Sequence, residues 1–542
     1  LLSFDTLQTV NIPPVQIQLN RVVPSYRVQL PVSYDVNNPL LNGQDNMIQF
    51  NRDSSDNQCY ARCLLTPTFD TPFCSSPHGQ VNQECALRKR IGPEMPLGNF
   101  FLLQRLALFV DAFILEWLKP LPNLEINEDC LFEEWLLSCS HYNESRKDSL
   151  RRARSSRLVN GSVELLPKDY FIKCFFKREF YEEPKFARLI NPRSDCFKSA
   201  VGPYIHLIEE QVYKLPWFVK GVPITSLPTR LSRLEKYPII LETDYSSFEA
   251  GFSPEYVACV EMRLWKFMLQ NNPRILSIIN KVYFVDKNGV LKPRENMLFH
   301  KDFIMRVIGR RMSGEMWTSL ANGFSNLMNV LFLAKENHQD IDGFVEGDDG
   351  LFGMYEPFLN ADMFAQLGFK IKMNYGYDLN HTSFCGNVFD KDEQLLIVNP
   401  ENIARLFWTC TVNYLNARPS KLLQLLRGKA MSLYCIAKNT PISSVLAYSM
   451  LKLLGPGPIL IDPNRKWWRS QLIASFKSVI IEEPIISMKS RALFCEKYGI
   501  SIEFQYLMEK YIRNAKCLDE LAPQFYFMNQ SYDEGRVQIS RL

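Results

Sequence analysis

The stretch Ile341-Asp342-Gly343-Phe344-Val345-Glu346-Gly347-Asp348-Asp349-Gly350-Leu351-Phe352-Gly353-Met354 decides how the rest of the chain is read. Apolar runs at Gly343-Phe344-Val345 and Leu351-Phe352 flank a Gly-Asp-Asp turn, the sequence form of a strand, a tight turn and a second strand. Gly347 permits backbone angles that other residues avoid, so the carboxylates of Asp348 and Asp349 can project from a hairpin tip. Two adjacent carboxylates between buried strands are costly unless they bind cations, and an oxygen-rich site suits Mg²⁺ or Mn²⁺. The triplet alone arises by chance in roughly one chain in ten of this length. A plain surface turn is therefore the competing reading, and the flanks and distant partners must decide.

Working outward, the next carboxylate lies upstream. Pro238-Ile239-Ile240-Leu241-Glu242-Thr243-Asp244 is an apolar, partly β-branched run ending on Asp244, with Glu249 five residues on and a helix expected from Pro254 to Leu269. A carboxylate at a strand end can share a metal with another strand tip, although capping a turn is an equally ordinary use. Between the two lies Arg310-Arg311-Met312-Ser313-Gly314-Glu315-Met316-Trp317-Thr318-Ser319-Leu320-Ala321-Asn322-Gly323. Ser313-Gly314 makes a loop, and Thr318 and Asn322, four apart, share one face of the following helix. That polar stripe serves either to read sugar hydroxyls or to cap the helix. Further upstream, Phe171 to Phe180 alternates like a strand and carries Lys173, Lys177 and Arg178. The proline-bounded Pro184 to Arg193 then adds Lys185 and Arg188. Spaced cations on extended backbone suit a phosphate channel, or simply an exposed hairpin.

Length and composition bound these readings. The chain has 542 residues, 46% hydrophobic and 22% charged, which are globular values with room for several subdomains. The net charge of +4 is small, but Arg146 to Arg157 is densely basic, as for a polyanion contact or a solvated helix face. Fourteen cysteines lie without a regular framework, which suits buried thiols in a reducing compartment. Cys59, Cys63, Cys74 and Cys85, with His78, lack the paired short knuckles of common zinc sites, so zinc is disfavoured. The chain begins at Leu1 rather than Met, as a fragment or processed product would, and no secretory signal opens it. Phe100 to Leu118 contains Arg105, Asp111 and Glu116, the pattern of a buried amphipathic helix rather than a membrane span. Helices are also expected over Leu131 to Arg154 and Gly202 to Val212, and a hairpin over Lys281 to Leu298 around Asn288-Gly289.

Taken in order, Asp244-x-x-x-x-Glu249, then Ser313-Gly314-x-x-x-Thr318-x-x-x-Asn322, then Gly347-Asp348-Asp349 resemble the palm motifs of RNA-dependent RNA polymerases from positive-strand RNA viruses. Lys177, Lys185 and Arg188 stand where that family keeps its nucleotide-access motif. Ala361 to Met373 is similar to its helix-turn-strand motif, and Phe384-Cys385-Gly386 to its primer-gripping hairpin. The Arg-Met-Ser-Gly and Phe-Cys-Gly runs are most similar to tombusvirus-like and nodavirus-like replicases. Two departures stand out. Glu249 replaces the usual Asp, and Lys185 and Arg188 have two residues between them where the family often has one.

The resemblance implies an α+β right-hand polymerase. It gives an N-terminal extension of unknown role at 1–95 and fingers at 96–235. A palm follows at 236–395 with a fingers insertion at 271–310, then a helical thumb at 396–542. It implies nucleotidyl transfer from a ribonucleoside triphosphate to an RNA 3′-hydroxyl, with two Mg²⁺ or Mn²⁺ ions on Asp244 and Asp348 and Asp349 in support. Lys177, Lys185 and Arg188 would meet the triphosphate. Glu249, Ser313, Gly314, Thr318 and Asn322 would meet the ribose, and Phe384, Cys385 and Gly386 the primer strand. Lys372 or Lys370 would protonate pyrophosphate; strand alternation puts both on one face, and Lys372 is the choice here. Implied partners are template and nascent RNA, nucleotides and other replicase subunits, at a replication complex in the host cytoplasm. Membrane association is not readable from the sequence. A reverse transcriptase would share the carboxylates but typically lacks the Ser-Gly…Thr…Asn helix. A non-catalytic RNA-binding scaffold should have lost a carboxylate, and all three are present.

Overall fold

The computed structural model describes residues 22–24, 47–50, 60–63, 73–74, 83–84, 86–87, 90–91, 97–139, 142–177, 180–181, 187–223, 226–283, 295–308, 311–398, 408–409, 417–460 and 479–521. The N-terminal region is tied into the body by strand pairing. Met47–Phe50 pairs with Phe303–Ile308, Tyr60–Cys63 with Trp408–Thr409, and Phe73–Cys74 with Phe180–Tyr181. Of the cysteine and histidine group, Cys59, His78 and Cys85 lie outside the described residues, as do Lys185 and the Asn288-Gly289 turn.

Helix α1 (Phe100–Trp117) is capped by Asn99, whose side chain accepts from Leu102 N, and buries Leu103, Leu106, Val110 and Phe113. No described helix is long and apolar enough to cross a membrane. The helical tract expected over Leu131 to Arg154 divides into α2 (Glu128–Ser138) and α3 (Glu144–Ser155), because Asn143 caps a new helix. Four arginines of the basic run at Arg146 to Arg157 are engaged by carboxylates. Arg146 forks onto Asp195 of α4 (Asp195–Val212) at 2.5 and 2.7 Å, Arg151 bonds Glu133, Arg154 bonds Asp129 and Arg157 bonds Asp169. Of these, Arg154 is buried, and Arg146 and Arg151 remain partly exposed. The expected hairpin over Lys281 to Leu298 also needs correction. Lys281 belongs to the helix Pro273–Val282, which buries Ile275, Ile278, Ile279 and Val282 at helical spacing. Among the described residues a hairpin pairs Glu295–Phe299 with Phe303–Ile308.

At the centre is a four-stranded antiparallel sheet in the order β2 (Ile341–Glu346), β3 (Asp349–Met354), β1 (Ile239–Tyr245), β4 (Ile371–Gly376). Strand alternation sends Leu241 and Tyr245 into one core with Val345, Phe352 and Met354. Ile240, Phe344 and Leu351 enter a second core on the opposite face. Helix α5 (Thr318–Glu336), apolar around most of its circumference, lies in the first core with Leu320, Phe324, Leu327 and Met328. After the short helix α6 (Ala361–Gln366) and β4, three small strands form an antiparallel sheet: β5 (Ser383–Phe384), β6 (Asn387–Asp390) and β7 (Leu395–Val398). Phe384, Phe389 and Leu396 pack in the second core. A separate helical core follows, from α7 (Pro419–Ile436), α8 (Ser443–Leu454), α9 (Met488–Tyr498) and α10 (Ile502–Asn514).

One buried polar network joins the fold behind the sheet. Arg311, fully buried, donates from Nε to Glu261 Oε1 at 2.8 Å and from Nη2 to Asn322, with Phe252 stacked 3.8 Å from its guanidinium. Glu261 also accepts from the Tyr283 hydroxyl, which accepts in turn from Trp317 Nε1 at 2.8 Å. Removing one member strands the opposite charge in the interior. Arg311→Ala is expected to cost about 3–5 kcal/mol, seen as a lower urea midpoint. Replacing Arg311 and Glu261 together by Met and Leu should recover most of it.

Candidate active site

The hairpin predicted from Gly-Asp-Asp forms between β2 and β3, with Glu346 opposite Asp349 and a two-residue turn at Gly347-Asp348. Gly347 has φ +62°, the left-handed region glycine enters without strain. The turn is held from behind: Asn326 Nδ2 of α5 reaches the carbonyls of Gly347, Asp348 and Asp349 at 3.3, 3.3 and 3.1 Å. Sequence reasoning missed Asn326, although it continues the four-residue spacing of Thr318 and Asn322. Asp244 is brought alongside because β1 pairs directly with β3, placing Thr243 opposite Gly350.

Asp244, Glu249 and Asp348 line one cavity of about 300 Å³, and Lys177, Arg188 and Ser313 line it with them. Lys177 and Arg188 meet because Phe175–Phe176 pairs with Leu189–Ile190, and Lys177 N donates to Arg188 O at 2.8 Å. Arg90 and Arg311 complete the basic side; neither was foreseen, and Arg90 comes from the region whose role was illegible. Gly314, Thr318 and Asn322 line a neighbouring cavity of about 660 Å³ on the other side of the hairpin tip, with Asp348, Asp349 and Cys385. The Thr318 hydroxyl accepts from Gly314 N and donates to Glu315 O, so it closes the Ser313–Trp317 loop as a cap does. That loop is pressed onto the basic segment. Asn191 N donates to Ser313 O at 2.8 Å, and a Cβ on Gly314 would stand 2.7 Å from Asn191 N. Arg193 and Glu315 lock the same contact through a buried pair at 2.7 Å.

Lys372 lies opposite Asp244 in the β1–β4 register, so the two side chains share one face. Both line a smaller cavity of about 190 Å³ with Asp349, Phe384, Cys385 and Gly386. Lys370 precedes β4, and its carbonyl accepts from Ser246 N.

Burial raises the two carboxyls of the turn, and neighbouring carboxylates add to it. Burial lifts the Asp348 carboxyl above its usual range, with Glu249 and Asp244 adding to the effect and Arg188 opposing it. Asp349 is pushed to about 7, first by burial and then by Asp348, Asp244 and Glu346. Among the described residues no three His, Cys, Asp or Glu side chains converge closely enough to hold an ion as they stand. The donor chemistry nevertheless fits a hard cation. These are carboxylate oxygens, crowded and underneutralised, which a divalent ion would draw together.

Comparison with known proteins agrees with the motifs. Residues 196–439 match the family model for viral RNA-dependent RNA polymerase. The RNA-directed RNA polymerase of Oat chlorotic stunt virus (isolate United Kingdom) is 26% identical over 268 residues, 43% of this chain and 34% of that protein. The RNA-directed RNA polymerase of Greasy grouper nervous necrosis virus is 24% identical over 216 residues, 37% of this chain and 21% of that protein. The chain thus spans about a third of the first relative's length and a fifth of the second's. The matched region carries a polymerase domain. Over residues 196–439 the chain is thus similar to the viral RNA-dependent RNA polymerases, a family that generally uses divalent metal ions.

A pH dependence follows from the raised Asp349 carboxyl. Its folded value exceeds the ordinary one, so its stabilisation is full below about 4 and is lost as pH rises through about 7. In EDTA the melting temperature of the wild type should fall over that window relative to Asp349→Asn. Mg²⁺ should raise it above pH 7 and lose that effect near pH 5.

Proposed function

We propose that this chain synthesises RNA on an RNA template during replication of a positive-strand RNA virus, transferring a nucleotide from a ribonucleoside triphosphate to an RNA 3′-hydroxyl. The observation that carries this reading is the single cavity in which Asp244, Asp348 and Glu249 face Lys177 and Arg188. In the architecture proposed with it, fingers comprise 96–235 and 271–310, the palm 236–270 and 311–395, and a helical thumb 396–542. The working complex would include template, nascent strand and further replicase subunits, at a replication site in the host cytoplasm.

Lys177 and Arg188 bind the triphosphate and offset its charge, positioning being most of what phosphoryl transfer asks of a protein. Glu249 and Ser313, with Asn322 behind them, orient the ribose through its 2′-hydroxyl, the group that separates RNA from DNA. Glu249 reaches farther than the usual Asp and keeps an acid at that place. Asp244 and Asp348 would hold two divalent ions, with Asp349 in support. When bound, these ions lower the pKa of the attacking hydroxyl and neutralise charge on the triphosphate. Lys372 Nζ, beside Asp244, carries the proton for the departing pyrophosphate. Sequence selection comes from base pairing with the template, so base-edge contacts by the protein are unnecessary.

The test is primer extension on an RNA template. Ribonucleotide incorporation should require Mg²⁺ or Mn²⁺ and vanish in EDTA. It should fall at least about a hundredfold in a folded Asp348→Asn variant. Preference for deoxynucleotides would indicate a reverse transcriptase, and RNA binding without incorporation a scaffold. Separately, Arg188→Ala should raise the nucleotide KM by roughly tenfold while primed-template affinity stays near wild type.

A further inference from the structure

Glu242 lies two residues before Asp244 on β1, so both side chains stand on the same face of the sheet. Its neighbours on that face are Ile240, buried in the second core, and Asp244, open to the cleft. An apolar residue would extend the core across this position, yet a half-buried carboxylate occupies it. Such a group is costly unless its oxygens are bonded. Ser383 reaches both oxygens: its N donates to Oε1 at 2.5 Å and its Oγ to Oε2 at 3.1 Å, with Asn374 of β4 opposite Glu242 in the register.

Ser383 opens the hairpin whose turn is Cys385-Gly386, and both turn residues have positive φ, +52° and +75°. That combination defines a tight type I′ turn, whose shape is set by its own backbone. The turn faces the active carboxylates, since Cys385 and Asp349 line the same two cavities. Glu242, Asp244, Lys372, Ser383 and Gly386 line one cavity of about 190 Å³. On the far side Lys497 of α9 lies within electrostatic reach of Glu242, and neighbouring Glu496 meets His381 at 2.7 Å. One carboxylate thus ties the strand that bears Asp244 to the hairpin above it, where α9 leans on both.

We propose that Glu242 is a positioning residue that fixes the height of the Ser383–Gly386 hairpin over Asp244, and so holds the 3′ end of the nascent strand against the carboxylates. This rests on the polymerase reading above. Glu242 touches neither nucleotide nor ion; it acts through Ser383. Losing it should therefore loosen the grip on the primer strand and leave nucleotide binding alone.

The experiment follows a fluorescent primer annealed to RNA template and measures its dissociation from the full chain after a heparin challenge. Nucleotide KM is measured on the same complexes, for wild type, Glu242→Gln and Glu242→Ala. The lifetime should shorten about tenfold in Glu242→Ala, the effect of one charge-assisted hydrogen bond. It should shorten about threefold in Glu242→Gln, which keeps an acceptor oxygen but loses the charge. Nucleotide KM should stay within about twofold of wild type. If the alanine variant does not fold, Glu242→Gln decides by its own threefold change. A wild-type lifetime in a folded variant overturns the proposal, and so does a nucleotide KM that rises in step with primer loss. A wild type that binds primed template but extends nothing overturns the polymerase reading first.

Discussion

Burial of the Asp348 and Asp349 carboxylates, with Asp244 beside them, is the constraint on which the rest of this structure depends. Three carboxylates are brought to one cleft by the β2–β3–β1 pairing, and two of them are raised above their ordinary range. Left to itself, such a cluster would open. What keeps it together is backbone: strand register fixes Asp244 beside the hairpin, and Asn326 holds the three carbonyls of the turn. The sheet is buried on both faces, so moving the carboxylates apart would mean disrupting two cores at once.

The positive side of the cleft is arranged by different means. Lys177 and Arg188 sit at the ends of a two-stranded pairing, and the Ser313-Gly314 loop is clamped to the adjoining segment by Asn191 and by the buried Arg193–Glu315 pair. Behind that loop, Arg311 bonds Asn322 and Glu261. Buried ion pairs contribute little net stability but define one geometry sharply, because any alternative strands a charge. Here they surround the residues proposed to recognise the nucleotide, whereas the carboxylate side relies on strand register. The two walls share α5, whose Asn322 meets Arg311 and whose Asn326 holds the turn, and they meet at Asp348, the residue common to the two larger cavities.

Charge that looks available in sequence is often committed in the fold. The run from Arg146 to Arg157 is the clearest case: four of its arginines face Asp195, Glu133, Asp129 and Asp169. Composition could not reveal this, since the partners lie on other elements. Conversely Arg90, from the stretch with no legible role, reaches the cavity shared by Asp244 and Asp348.

The sequence by itself determined the local pieces: the hairpin around Gly347, the strand leading to Asp244, and the loop and helix from Ser313 to Asn322. Each is set by glycine, alternation or helical spacing over a few residues, and motif order was enough to indicate the family. Only the tertiary structure decided the rest. It split the expected helix over Leu131 to Arg154, turned Lys281 into a helix end, and set the Thr318 hydroxyl on the Ser313–Trp317 loop. It brought in Asn326, Arg311, Arg90 and Glu242, whose partners lie 22, 50 and 141 residues away in three of these cases: Asp348, Glu261 and Ser383. Periodicity reports which face of an element is apolar; it carries no information on which distant element will cover that face, and that choice assigns each buried polar group its partner.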